Sequence, residues 1–161
     1  MHIQEISKEK AIVWFSRDEL RFMIAAAERA LMEMDPDEFD TRTGRTIGYA
    51  NAILAQLRVA NGEISPRNMP HQADDQVFDS SRDPNTRRLR VTIRVELVRD
   101  DKALVSLSDY ELSFLNNAIN EAIHGLHGVE EFERSSGKTS EYGRRLMHQL
   151  IAAKDRTRAF N

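Results

Sequence analysis

Apolar residues recur at steps of three and four between Leu107 and Leu126: Leu112, Leu115, Ile119, Ala122 and Leu126 fall on one face of a helix, and that face must be covered. Ser108, followed three residues later by Glu111, reads as a capping box, with Leu107 and Leu112 placed for a hydrophobic staple. Phe15, Ser16, Glu19 and Leu20 set out the same device near the start of the chain. Ahead of the later helix the period is two. Leu89, Val91, Ile93, Val95 and Leu97 alternate with Arg90, Thr92, Arg94 and Glu96, which predicts a strand with one face buried. Arg99 to Lys102 turns the chain, and Ala103 to Leu107 returns. Ile3 to Ile6, the turn Ser7 to Lys10, and Ala11 to Phe15 do the same ahead of the earlier helix.

Each capped helix is followed by a connector, 38–46 or 131–139, read as a loop held to the core by Phe39 or Phe132. Thr46 and Thr139 then read as N-caps of a second helix. Its buried stripe is Tyr49, Ile53, Leu54 and Leu57 in one case and Tyr142, Leu146, Met147 and Leu150 in the other. Asn61-Gly62 stops the first of these helices, and the other runs on to about Thr157.

Residues 1–38 align with 93–130, and residues 39–57 with 132–150; sixteen of the 57 pairs are identical, Ser16/Ser108, Glu19/Glu111, Leu20/Leu112, Phe39/Phe132, Gly44/Gly137 and Tyr49/Tyr142 among them. The pattern therefore predicts an α+β fold built by tandem duplication of a ββαα unit. Repeat one spans 1–60, a linker 61–87 and repeat two 88–158, within a single domain covering 1–161. One ββαα unit of this size is marginal alone, so the two are expected to pair their strands into one antiparallel sheet with helices packed on one face. The other face is expected to carry Trp14, Arg90, Thr92, Arg94 and Ser106. The linker holds Pro66, Pro70 and Pro84 with few apolar residues, and residues 63–86 of it are expected to be the most mobile interior segment.

The absence of cysteine removes disulfides, thiolate metal sites and thiol nucleophiles. The polar start MHIQEISKEK lacks the apolar core of a signal peptide, and no apolar run is long enough for a membrane helix, so a cytoplasmic protein without membrane contact is expected. The net charge of −3 is unevenly spread: Glu33, Asp35, Asp37, Glu38 and Asp40 lie close together, while Arg82, Arg87, Arg88, Arg90, Arg94 and Arg99 form a basic stretch. The acidic total and the scarcity of aromatics beside those arginines disfavour nucleic acid as a partner.

Gly137-Lys138-Thr139 has the end of a phosphate loop but not its beginning, since Phe132 stands where the first glycine belongs; a glycine turn before a helix cap explains it. Glu121, His124 and His127 have helical spacings known from metal sites, but no second cluster completes a ligand set, and no cofactor or metal is expected. Asn116, Asn117, Asn120 and Glu121 give the second capped helix an amide-rich patch where the first has Ile24, Ala25, Glu28 and Arg29. That patch serves either as a binding surface or as a set of hydrogen bonds to a neighbouring loop.

The run ELSFLNNAINEAIHGL, with the Glu131-Phe132 pair, a glycine and a further helix after it, resembles patterns in small bacterial proteins of the immunity or antitoxin kind. The resemblance implies a small non-catalytic cytoplasmic binder. The expected function is accordingly inhibition of another, basic protein, with Asp35, Asp37, Glu38 and Asp40 steering its approach and Trp14, Asn117, Asn120, Glu121 and His124 contributing contacts. Two alternatives stand beside it. One is a structural or regulatory homodimer joined through the sheet. The other is a small enzyme using the Asn117, Glu121 and His124 helix, with Glu121 or His124 as proton carrier.

Overall fold

A computed structural model describes residues 1–7, 9–65, 67, 91–126 and 128–159. Most of the linker 61–87, the strand position Leu89, the arginines Arg82, Arg87, Arg88 and Arg90, and His127 lie outside the described residues. Strands β1 (His2–Ile6) and β2 (Lys10–Ser16) lead into helices α1 (Arg17–Glu33), α2 (Pro36–Thr43) and α3 (Ile47–Ala60). Strands β3 (Arg94–Val98) and β4 (Lys102–Ser108) lead into α4 (Asp109–Asn120), a π-helical turn (Glu121–Gly125), α5 (Val129–Ser136) and α6 (Ser140–Arg158). The strands form one antiparallel sheet in the order β1-β2-β4-β3. The architecture is thus α+β.

Both capping boxes are present, Ser16 with Glu19 and Ser108 with Glu111. Thr46 and Thr139 cap α3 and α6 by accepting from the N–H groups of Tyr49 and Tyr142. The two connectors are not loops. They are α2 and α5, each closed by a glycine in the left-handed region, Gly44 at φ 72° and Gly137 at φ 66°. Phe39 and Phe132 are buried, but from helices. Asp35, Pro36 and Glu38 are the reason for the first: a capping carboxylate, proline at the opening position and an acid in the first turn start a helix.

The strand expected over 89–97 is shorter, since 91–93 are outside it and β3 begins at Arg94, and its alternation also breaks within β3. Register shifts between Val95 and Leu97, so Val95 turns inward and Leu97 comes out on the other face, 44% exposed. β1 shifts in the same way between Ile3 and Glu5. Thr92, expected on the open face, instead hydrogen-bonds Glu111.

Ala11, Val13, Phe15, Ala103, Val105 and Leu107 point from the sheet into the core and have no exposed surface. The helices that cover them are exchanged between the halves: α3 packs on β3 and β4, and α6 packs on β1 and β2. One apolar cluster results, running from Ala11 to Ala153. Arg17 ties the halves further, donating to the carbonyls of Ala60 (2.6 Å), Asp100 (3.2 Å) and Arg99 (3.0 Å). Asp18 pairs with Lys138 at 2.6 Å from α1 to the α5–α6 turn. That ion pair holds the Asp18 carboxyl below its ordinary value.

Candidate functional site

The residues singled out in the sequence fall in three places, and the first two share Arg42, whose guanidinium pairs with both Glu38 and Glu121. The first is the end of α4. Asn117 donates to the carbonyl of Thr43 at 3.1 Å, and Glu121 pairs with Arg42 of α2. These contacts lock α4 and the π turn against the other half. Glu121 is buried while His124 is exposed. In an α-helix the spacing of three would bring them to one face; the wider winding of the π turn, closed by the Leu126 N–H bonding back to Glu121, separates them. Gly125 completes this turn, because a Cβ there would strike the carboxylate of Glu121 and the guanidinium of Arg42. Asn120 stands part-buried beside it.

The second place is the corner between α1 and α2. Glu33, Asp35, Asp37, Glu38 and Asp40 are all exposed there. Asp35 caps α2 by accepting from the Glu38 N–H at 2.9 Å, Glu33 pairs with Arg29 and Glu38 with Arg42. Met32 projects beside them with 84% of its surface exposed, the most of the exposed large apolar side chains among the described residues. The periodicity of α1 does not mark Met32 as exposed, since Arg29, three residues before it, is buried.

The third place is the sheet face opposite the helices. Trp14 lies there, part-buried, its Nε1 donating to Gln4 Oε1 at 2.6 Å. The guanidinium of Arg99 sits 4.9 Å from the indole and the ammonium of Lys102 5.2 Å from it. Beside the ring an open cleft of about 540 Å³ is lined by Met1, Gln4, Ser16, Glu19, Arg99 and Lys102. The amine of Met1 pairs with Glu19 at its floor.

Pairing across the strands arranges this face in rows. One row is Glu5, Ile12, Ser106 and Arg94; the next is His2, Trp14, Leu104 and Leu97. Arg94 and Ser106 are thus where the alternation put them. Ile12, Leu104 and Leu97 were missed, the last because nothing local in the sequence marks the shift at Glu96. Among the described residues no group of three or more His, Cys, Asp or Glu is placed to hold a metal, and no helix is long and apolar enough to cross a membrane. No family model matches this chain, and no curated protein or solved structure is similar enough to stand as a relative.

Proposed function

We propose that this protein acts by binding another protein, as an inhibitor of the immunity or antitoxin kind, and carries out no reaction of its own. The observation that supports the reading is the α1–α2 corner, where the exposed thioether of Met32 stands among Glu33, Asp35, Asp37, Glu38 and Asp40. Carboxylates gathered on an outer corner draw in a basic partner and speed its encounter, and an unbranched thioether adapts to the surface it meets. Asn117 and Glu121 support the corner indirectly, since they grip Arg42 and Thr43 at the other end of α2.

Affinity capture from the native host, followed by sizing of the complex, tests the proposal. A captured basic protein should associate more slowly when Asp35, Asp37, Glu38 and Asp40 are together replaced by Ser, and the difference should shrink in high salt. Ser at 35 keeps a capping hydroxyl, so α2 survives the change. Met32→Ser should speed dissociation. Recovery of the chain alone, or a partner indifferent to these changes, overturns the reading.

We also infer that the chain is one domain made of two duplicated units, each of two strands and three helices. The paired caps, the matching shifts at Gln4 and Glu96, and the direct pairing of Val13 with Val105 support this descent.

A further inference from the structure

We infer that the open sheet face is a self-association surface, and that what covers it is a second copy of this chain laid face to face about a two-fold axis running along the strands between β2 and β4. The inference goes beyond the inhibitor reading, which uses the α1–α2 corner and not the sheet.

The rows of the face carry the argument. A two-fold axis in the plane of the face and parallel to the strands sets each position against its opposite in the same row, β1 over β3 and β2 over β4. Glu5 of one copy then meets Arg94 of the other, and the reciprocal pair forms on the far side. Neither residue has an ion-pair partner among the described residues, and both are exposed. In the same rows Trp14 meets Leu104 and His2 meets Leu97. Ile12 meets Ser106, which is 2% exposed and forms a dip between its neighbours. Of the other cations on this face, Lys102 pairs across the strands with Ser16 and Lys10 with Ser108, so each of these two meets a neutral group, while Arg99 is held over the Trp14 indole of its own copy. Turning the axis across the strands would lay Arg94 on Leu97 and leave Glu5 and Arg94 without each other. Charge complementarity therefore selects one axis, and sheets packed about it run nearly aligned, as stacked sheets do.

The edges of the sheet do not compete for this role. The shifts at Gln4 and Glu96 interrupt both edge ladders, which opposes edge-to-edge pairing. Strands about 4.8 Å apart and roughly six residues long give a footprint of roughly 400 Å² per copy. That is about half the usual contribution to a stable interface, so the dimer is a weak and reversible one.

Sedimentation equilibrium of the purified full chain from about 10 μM to about 1 mM, the range in which an interface of this size associates, tests it. The wild type should pass from monomer to dimer and no further. Glu5→Arg alone and Arg94→Glu alone should each weaken the dimer roughly tenfold, since each reverses two symmetry-related pairs. The double variant, Glu5→Arg with Arg94→Glu, should return it to within about threefold of wild type. Circular dichroism shows each variant folded, and Trp14→Ser should weaken the dimer independently of charge. A wild type that stays monomeric, single reversals without effect, or a double variant as weak as the singles would overturn the inference. None of these outcomes involves a captured partner, so the inhibitor reading stands or falls separately.

Discussion

A carboxylate with no exposed surface must be surrounded by donors, and Glu111 is. It accepts from the N–H groups of Thr92 (2.5 Å), Ile93 (2.8 Å) and Ser108 (2.5 Å) and from the hydroxyls of Thr92 and Ser108. Glu111→Ala removes the cap and strands buried donors, and should cost about 3–5 kcal/mol in urea unfolding. Glu111→Gln keeps the shape and should cost less. The cap was legible because its partners stand three residues apart; the bonds to Thr92 and Ile93 were not, because they depend on where the chain returns. Tyr142 supplies a second expectation at this scale. Burial, aided by the negative charges of Glu19 and Asp18, pushes its phenol up to about 12 from the ordinary 10.0. A raised phenol contributes stability that is present below the ordinary value and is lost as pH rises through the folded one. Stability should therefore fall between about pH 10 and 12, and Tyr142→Phe should lessen that fall in melts across the range, leaving the part due to Tyr49, whose phenol burial also raises.

Helix α6 reaches the core through a bare backbone at Gly143, where an added Cβ would lie 2.9 Å from Phe22 Cζ and 3.2 Å from Ile123 Cγ2. Phe22 cannot yield easily, since it is wedged edge-on between Phe132 at 5.4 Å and Tyr142 at 5.3 Å. Gly143→Ala should thus cost about 1–3 kcal/mol by overpacking, read as a lowered melting temperature. The corresponding position of α3 holds Ala50, fully buried, so the two helices do not approach their neighbours alike. Nothing in the periodicity of α6 showed this, because a glycine in a helix looks the same whether or not a ring lies against it. The start of α2 was different. Its cap, proline and first-turn acid were all in the sequence, but one phenylalanine in eight residues gives no helical period. Asp35→Ala should cost about 1 kcal/mol, and Asp35→Ser much less, in the same melts.

At the scale of the molecule, each half lends its last helix to the other half's strands. Residues 1–62 alone would leave β1 and β2 without α6, and 91–159 alone would leave β3 and β4 without α3. Each should therefore be unfolded or aggregated by circular dichroism and sizing, and mixing the two should restore structure. The strands and capped helices were legible from short-range pattern; the exchange of covering helices was not, because either pairing buries the same apolar stripes. The strand order β1-β2-β4-β3 has a consequence for time as well as for shape. Each outer pair is a hairpin that closes in microseconds, while the central pair joins Lys10 to Ser108 and Ser16 to Lys102, from different halves of the chain. Loop closure of that span comes before any contact rewards it, so refolding should be slow for the chain's size. Val13→Ala, at the middle of the central pair, should slow refolding in stopped-flow more than it speeds unfolding. The barrier to folding this protein is then the bringing together of two hairpins, neither of which is stable until the other arrives.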